Sequence, residues 1–441
     1  MKRLLSLLLC AVLALFCATT AQAAGVSITL TASEYALHYA FDAGAQDPFV
    51  ILEYTTPAEK GWMMLYSADG HFEGDVSLAY SGAGGKTSVA LTSARTTGSI
   101  GKASTTLPKA ADYQKPTGKS NAKVMDFVLT ETPEGFHYAF NAIGTDYMLL
   151  YWRSKEQTVT QPVYPDENGH YEGDVISDLT FARTQFTVQV KSGSGSMKKE
   201  ATVRKGYQAP ETPQRQEGRL SGVTVCIDAG HQENGRFVNE PIGPGLTGST
   251  SGKGGMAQGT KTNRRESIVC LEIGMLLRDE LLRQGANVVM TREDQTTFHT
   301  NIERCEIAEA GGAQIMLRLH CNNSSNRSKR GIQVYGPLNS DYAKAVADAD
   351  TYREMGQKLL DAMKTRVGMT LANSTGMVRL NDNYVGNNWA KMMCFLVEMG
   401  YLSNPAEEYL LVTPVYQQWL AEGMADGVYE IAVARGWVQA Q

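Results

Sequence analysis

The chain is short of cysteine, of positive charge and of long apolar runs, and each shortage excludes something. Seven cysteines occur in 441 residues. Cys10 and Cys17 lie in an apolar N-terminal stretch, and the other five (Cys226, Cys270, Cys305, Cys321 and Cys394) fall in the second half. An odd number, mostly inside apolar runs, reads as small buried hydrophobes rather than a disulfide framework. Lys and Arg total 41 against 46 Asp and Glu, a formal charge of −5, which becomes −7 if Lys2 and Arg3 leave with a leader. That balance argues against nucleic acid as the partner and against simple charge attraction to an acidic wall polymer. After Cys17 no segment is long and apolar enough to span a bilayer.

The apolar run that does exist is N-terminal. In "MKRLLSLLLCAVLALFCATTAQA", Lys2 and Arg3 precede Leu4 to Cys17, and Ala21-Gln22-Ala23 gives a small-x-small cleavage site. This predicts a signal peptide over residues 1–23 and an exported, water-soluble protein. Phe16 before Cys17 argues against a lipid anchor.

The first half repeats itself. "HYAF" at His38 to Phe41 returns at His137 to Phe140, and "GHFEGDV" at Gly70 to Val76 returns as "GHYEGDV" at Gly169 to Val175, both offset by 99 residues. Two copies of one domain follow. Short alternating runs such as "YALHYAF" and "FVILEYTT", divided by turn signals such as "SADG", predict two immunoglobulin-like β-sandwiches, at 24–110 and 122–208. Segments Ser93 to Ala122 and Lys191 to Arg219 are rich in Ser, Thr, Gly, Lys and Pro and read as linkers. Four of the seven histidines (His38, His71, His137, His170) take equivalent places in the copies. With no cysteine or further histidine beside them, they read as strand and turn residues rather than ligands. Trp62, Tyr151 and Trp152 are expected in the sandwich cores rather than stacked on sugars.

From Arg219 to Gln441 strands and helices alternate, which predicts an α/β domain with a mostly parallel sheet covered by helices. The expected elements include a helix from Arg265 to Arg283, one near Ile302 to Ala310, a long one from Ser340 to Arg366, and helices after Pro405 and Pro414. His231 ends the first strand ("VTVCIDAGHQ"), His320 ends another ("IMLRLHCNN"), Glu398 ends the last ("FLVEMGYLSN"), and Glu266 opens the first helix. Strand ends and helix starts share one rim of such a sheet. Two imidazoles and a carboxylate with an open fourth position are the ligand set of a catalytic zinc. A second carboxylate beside it can act as general base. Taken singly, each residue has a plainer reading: a turn, a first-turn acid, a packed pair with Cys321, a salt-bridge partner.

"IDAGHQ", "RRESIVCLEIGMLLRDEL", "LRLHCNN" and "LVEMGYLSNPAEEYLL", in this order, resemble the zinc-dependent N-acetylmuramoyl-L-alanine amidases of the Amidase_3 family. The resemblance implies zinc held by His231, Glu266 and His320, with Glu398 as the catalytic glutamate. It implies hydrolysis of the amide between N-acetylmuramic acid and L-alanine in peptidoglycan, outside the cell and at the wall. A carboxypeptidase acting on the stem peptide, or an inactive wall-binding protein, are the competing readings. Gln232 and Cys270 depart from the residues common at those positions without removing a ligand. Asn322 and Asn404 match polar family positions. The glycine-rich connection Gln232 to Arg264 is expected to shape access to the metal as a pliable lid, and His299 to be a loop residue. The repeats are expected to hold a wall ligand rather than to do chemistry.

Overall fold

The computed structural model describes residues 19–21 and 25–440, apart from 46, 79–80, 95–97, 112–122, 133–134, 144–147, 154–156, 164, 177–184, 192–197, 205–209, 233–237, 251–254, 263 and 369–377. The expected leader therefore lies outside the described residues except for a three-residue strand, β1 (Thr19–Ala21). Two units result, residues 1–206 and 207–441.

Strict alternation builds the first unit. In β3 (Ala36–Asp42) Leu37, Tyr39 and Phe41 point into a core while Ala36, His38, Ala40 and Asp42 face out, the period of a half-buried strand. The first repeat runs β2 (Ile28–Ala32), β3, β4 (Phe49–Thr55), β5 (Glu59–Tyr66), β6 (His71–Ser77), β7 (Gly85–Ser93) and β8 (Ser99–Leu107). The second runs β9 (Lys123–Thr132), β10 (Gly135–Ile143), β11 (Met148–Arg153), β12 (Gln157–Val163), β13 (His170–Ile176), β14 (Gln185–Lys191) and β15 (Lys198–Arg204). In each copy three strands (β2-β3-β6, extended at the β2 edge by β1, or β9-β10-β13) pack on a run of four (β5-β4-β7-β8 or β12-β11-β14-β15). β12 pairs with β5, so the two four-strand sheets join into one of eight strands.

Two sequence expectations change here. Trp152 is fully buried and meets Phe136 edge-on at 6.1 Å. Trp62 and Tyr151 are only half-buried, because each sits one or three residues out of phase with the core-facing Trp152 and Leu65. The segments read as linkers also contain strands, β8 and β15. In β8 three of the inward positions are small (Gly101, Ala103, Thr105), so a true period-2 pattern resembles low-complexity sequence.

The second unit is a six-stranded mixed sheet of order β17-β16-β18-β21-β19-β20 with helices on it. Its strands are β16 (Thr224–Ala229), β17 (Asn287–Met290), β18 (Ile315–Asn322), β19 (Gln333–Gly336), β20 (Val378–Leu380) and β21 (Met393–Tyr401). Only the β19–β21 pair is antiparallel. The helices are α1 (Glu266–Arg283), α2 (Asn301–Ala310), α3 (Asp341–Val346), α4 (Ala349–Val367), α5 (Val385–Trp389), α6 (Pro405–Leu411) and α7 (Pro414–Ala434). The single long helix expected from Ser340 to Arg366 is instead α3 and α4. Asp348 breaks it by capping: its side chain accepts from Thr351 N, and Ala347 is extended. Gly427 lets α7 approach α4 closely, since a Cβ there would lie 2.8 Å from Leu359 Cα. Residues 210–217, also read as linker, lie along α1: buried Arg278 donates to Thr212 Oγ1, Pro210 O and Glu211 O. No helix among the described residues is long and apolar enough to cross a membrane. All five described cysteines are buried and free, as their placement in apolar runs implied.

Candidate metal centre

Parallel pairing decides where the chemistry falls. β16, β18 and β21 run side by side, so their C-terminal ends share one rim, and His320 and Glu398 stand directly opposite each other in register. His231 follows two residues after β16 ends, and Glu266 is the first residue of α1. At that rim His231 Nε2 lies 3.1 Å and His320 Nδ1 2.9 Å from the same oxygen, Glu266 Oε1. The two imidazole rings are edge-on with centroids 4.9 Å apart. These three residues are the one His/Cys/Asp/Glu group among the described residues whose donor atoms all converge, within 4.8 Å of one another.

The surroundings hold this group rigidly. Glu266 is 3% exposed. Its Oε2 accepts from Ala257 N at 2.7 Å, and its Oε1 also accepts from Cys321 N at 3.0 Å. Burial alone would raise its pKa, but hydrogen bonds from His231 and His320 hold the carboxyl well below the usual range. Burial pushes the His320 imidazole below its usual value. His231 has φ +57°, a left-handed conformation that a non-glycine residue adopts only under constraint. A cation fits such a group: two ring nitrogens and a carboxylate oxygen point at one another, and the buried Nε2 of half-buried His320 has no partner among the described residues.

Glu398 stands beside the group without joining it. Its Oε2 is buried and likewise has no partner among the described residues. Burial, reinforced by the charge of Glu266, pushes its carboxyl up to about 8. All four residues line one open cleft of about 1180 Å³. Gln232, Glu240, Ile242 and Met256 from the long connection line it as well, with His299, Asn322 and Tyr384. Asn404 lies elsewhere, as the cap of α6, accepting from Ala406 N and Glu407 N.

Where it is described, the long connection is anchored rather than free. Glu240 accepts from Asn301 N and Ile302 N at the start of α2, Pro241 O accepts from Trp389 Nε1, and Ile242 O accepts from Asn388 Nδ2. Further on, Glu408 accepts from Thr260 N and Lys261 N. The glycines spread through the stretch suggested pliability, but these fixed points come from distant residues. The parts at 233–237 and 251–254 lie outside the described residues.

A buried ionic network behind the rim went unread in the sequence. Asp228, fully buried, accepts from Arg304 Nη1 at 2.5 Å, Arg318 Nε at 2.9 Å and Thr291 Oγ1 at 2.7 Å. Against the upward push of burial, Arg304 and Arg318 hold its carboxyl well below the usual range. The signal was present: Asp228 in "VCIDAG" and Arg318 in "IMLRLH" place opposite charges inside strands that must be buried.

Residues 225–430 match the family described as N-acetylmuramoyl-L-alanine amidase, Amidase_3. Over these residues the chain is similar to that family of hydrolases. Among relatives, a germination-specific N-acetylmuramoyl-L-alanine amidase of Bacillus subtilis (strain 168) is 26% identical over 231 residues, covering 49% of this chain and 83% of that protein. A probable cell wall amidase, LytH, of Staphylococcus aureus is 27% identical over 235 residues, covering 52% of this chain and 72% of that protein. A solved N-acetylmuramoyl-L-alanine amidase from Clostridium difficile 630 aligns with 24% identity and TM-score 0.38, over 48% of this chain and 96% of that one.

Proposed function

We propose that this chain is a zinc-dependent amidase that hydrolyses the bond between the lactyl group of N-acetylmuramic acid and the L-alanine of the peptidoglycan stem. The observation that carries the reading is the convergence of His231, Glu266 and His320 on one point at the C-terminal rim of the sheet, in a domain similar to the amidase family. These three residues would hold the metal. Zinc bound there would polarise the scissile carbonyl and lower the pKa of water to near neutrality.

The protein groups supply the rest. Ala257 N and Cys321 N fix the orientation of the Glu266 carboxylate, which with His231 and His320 would hold the metal. Glu398 Oε2 takes the proton of the attacking water and returns it to the leaving amine. The long connection from Gln232 to Arg264 shapes access as one wall of the cleft, which leaves room for an extended glycan–peptide substrate.

In the same reading, residues 1–23 direct export and the enzyme works outside the cell at the wall. The two seven-stranded sandwiches are immunoglobulin-like modules that bind a wall ligand and raise the local concentration of the enzyme on its polymer. Mass spectrometry of muropeptides released from purified peptidoglycan by the full chain tests the activity. New L-alanine amino termini with intact stems are expected, and cleavage inside the stem would identify a peptidase instead.

A further inference from the structure

Two buried arginines reach the same short stretch of backbone. Arg292, just after β17, and Arg304, in α2, are 2% and 4% exposed. Arg292 donates through Nε to Ala229 O at 2.7 Å and through Nη1 to Asp294 O at 2.8 Å. Its Nη2 donates to Gly230 O at 2.8 Å and to Ser267 O at 2.7 Å. Arg304 donates to Ala229 O at 3.0 Å, to His231 O at 3.2 Å and to Gln232 Oε1. Three successive carbonyls, of residues 229, 230 and 231, therefore end on guanidinium groups.

The acceptors of Arg292 are unusual for a buried cation, since every one of these four is a main-chain carbonyl. Burial, with the nearby charge of Arg304, pushes Arg292 down to about 10, so it remains a cation at neutral pH. Burying that charge is costly, and Asp228, the carboxylate behind the rim, is already taken by Arg304 and Arg318. The carbonyls it serves are not arbitrary. Gly230 immediately precedes His231 and Ser267 immediately follows Glu266, so one nitrogen ties the backbone beside one proposed ligand to the backbone beside another. His231 also needs restraint, because its φ of +57° is not one it would keep unaided.

We propose that Arg292 is a positioning residue for the metal centre: by bridging Gly230 O and Ser267 O it sets the separation of His231 and Glu266, while Arg304 holds the His231 carbonyl. This rests on the zinc reading above. The planar fork is essential, since an ammonium in its place is a point charge that cannot reach carbonyls in three fixed directions.

The test is zinc affinity, measured on the folded full chain by competition with a chromophoric chelator, for wild type, Arg292→Lys and Arg278→Lys. Arg278 is an equally buried arginine that also serves main-chain carbonyls, at Pro210 and Glu211, away from the rim. The expected result is affinity roughly 10- to 100-fold weaker for Arg292→Lys, in the range of lost outer-sphere partners of a metal site, with Arg278→Lys unchanged. If Arg292→Lys does not fold, Arg304→Lys serves in its place, since it keeps a charge against Asp228 but loses the His231 carbonyl, and weaker binding is again expected. Wild-type affinity in the variant, or equal weakening in Arg278→Lys, would overturn the proposal alone. A wild-type chain that takes up no zinc would overturn the metal-centre reading and this proposal together.

Discussion

The two halves of the chain contain the same chemical grouping in opposite environments. In the first repeat His38 meets Asp75 at 3.0 Å and Glu73 at 3.3 Å, and His71 meets Asp42 at 2.7 Å. The second repeat restates this with His137 on Asp174 at 2.9 Å and on Glu172 at 3.2 Å. These acids face solvent: Asp75 and Asp42 are 70% and 80% exposed, against 4% for Glu266 between His231 and His320. Distances alone would not tell the clusters apart. Desolvation does. An exposed histidine–carboxylate pair exchanges water for a partner at little gain, whereas a buried one leaves donors and acceptors that only a proton or a cation can satisfy. The repeats thus show this grouping on solvated strands, and the second unit shows it around a buried carboxylate as a site.

The sharpest way to break the contrast is at Glu398, which has no counterpart in the repeats. Glu398→Gln keeps the shape and removes the base, so turnover of purified peptidoglycan should fall by roughly 10²–10⁴-fold. Zinc content should stay unchanged. If the metal is lost with the activity, Glu398 is a ligand and its proposed role is wrong.

Next in size is the buried network behind the rim. Asp228→Ala leaves Arg304 and Arg318 without their carboxylate and should cost about 3–5 kcal/mol, read from urea unfolding. The same pair gives a pH signature. Because the folded pKa of Asp228 is depressed, its contribution is fully present above the unfolded carboxylate value of about 3.9 and is lost as pH falls below it. The acid limb of the stability profile should therefore be shallower in Asp228→Asn than in wild type. Identical limbs would mean that the network does not set acid stability.

The smallest effect is expected in the repeats. His38→Ala and His137→Ala remove the exposed pairs, and their unfolding midpoints should move less than that of Asp228→Ala. Muropeptide turnover should not change. A large loss of activity would give the repeats a part in the chemistry that their solvation argues against.

What was legible in the sequence follows the same line. His231, His320 and Glu398 could be brought to one rim because parallel strands present their C-terminal ends together, although β18 and β21 run on to Asn322 and Tyr401, and Glu266 because it opens a helix. The 99-residue offset is visible in the sequence as two pairs of matching segments. Composition misled where small residues carried structure: the Ser/Thr-rich stretch at β8 alternates as a strand does, yet looks like a linker. The break between α3 and α4 was missed because one aspartate cap outweighs a continuous helical pattern. Arg292 was unreadable for a deeper reason. Its partners are carbonyls, which every residue carries, so no side-chain pattern could point to it.

The most direct test of the central claim is zinc stoichiometry, by equilibrium dialysis and elemental analysis, on three full-length proteins: wild type, His320→Ala, and the double variant His38→Ala/His137→Ala. The group of His231, Glu266 and His320 should bind about one zinc per chain in wild type and in the repeat variant, and His320→Ala should lose it. Zinc retained in His320→Ala, or lost when only the repeat histidines change, would place the metal in the wrong half of the molecule and contradict the account.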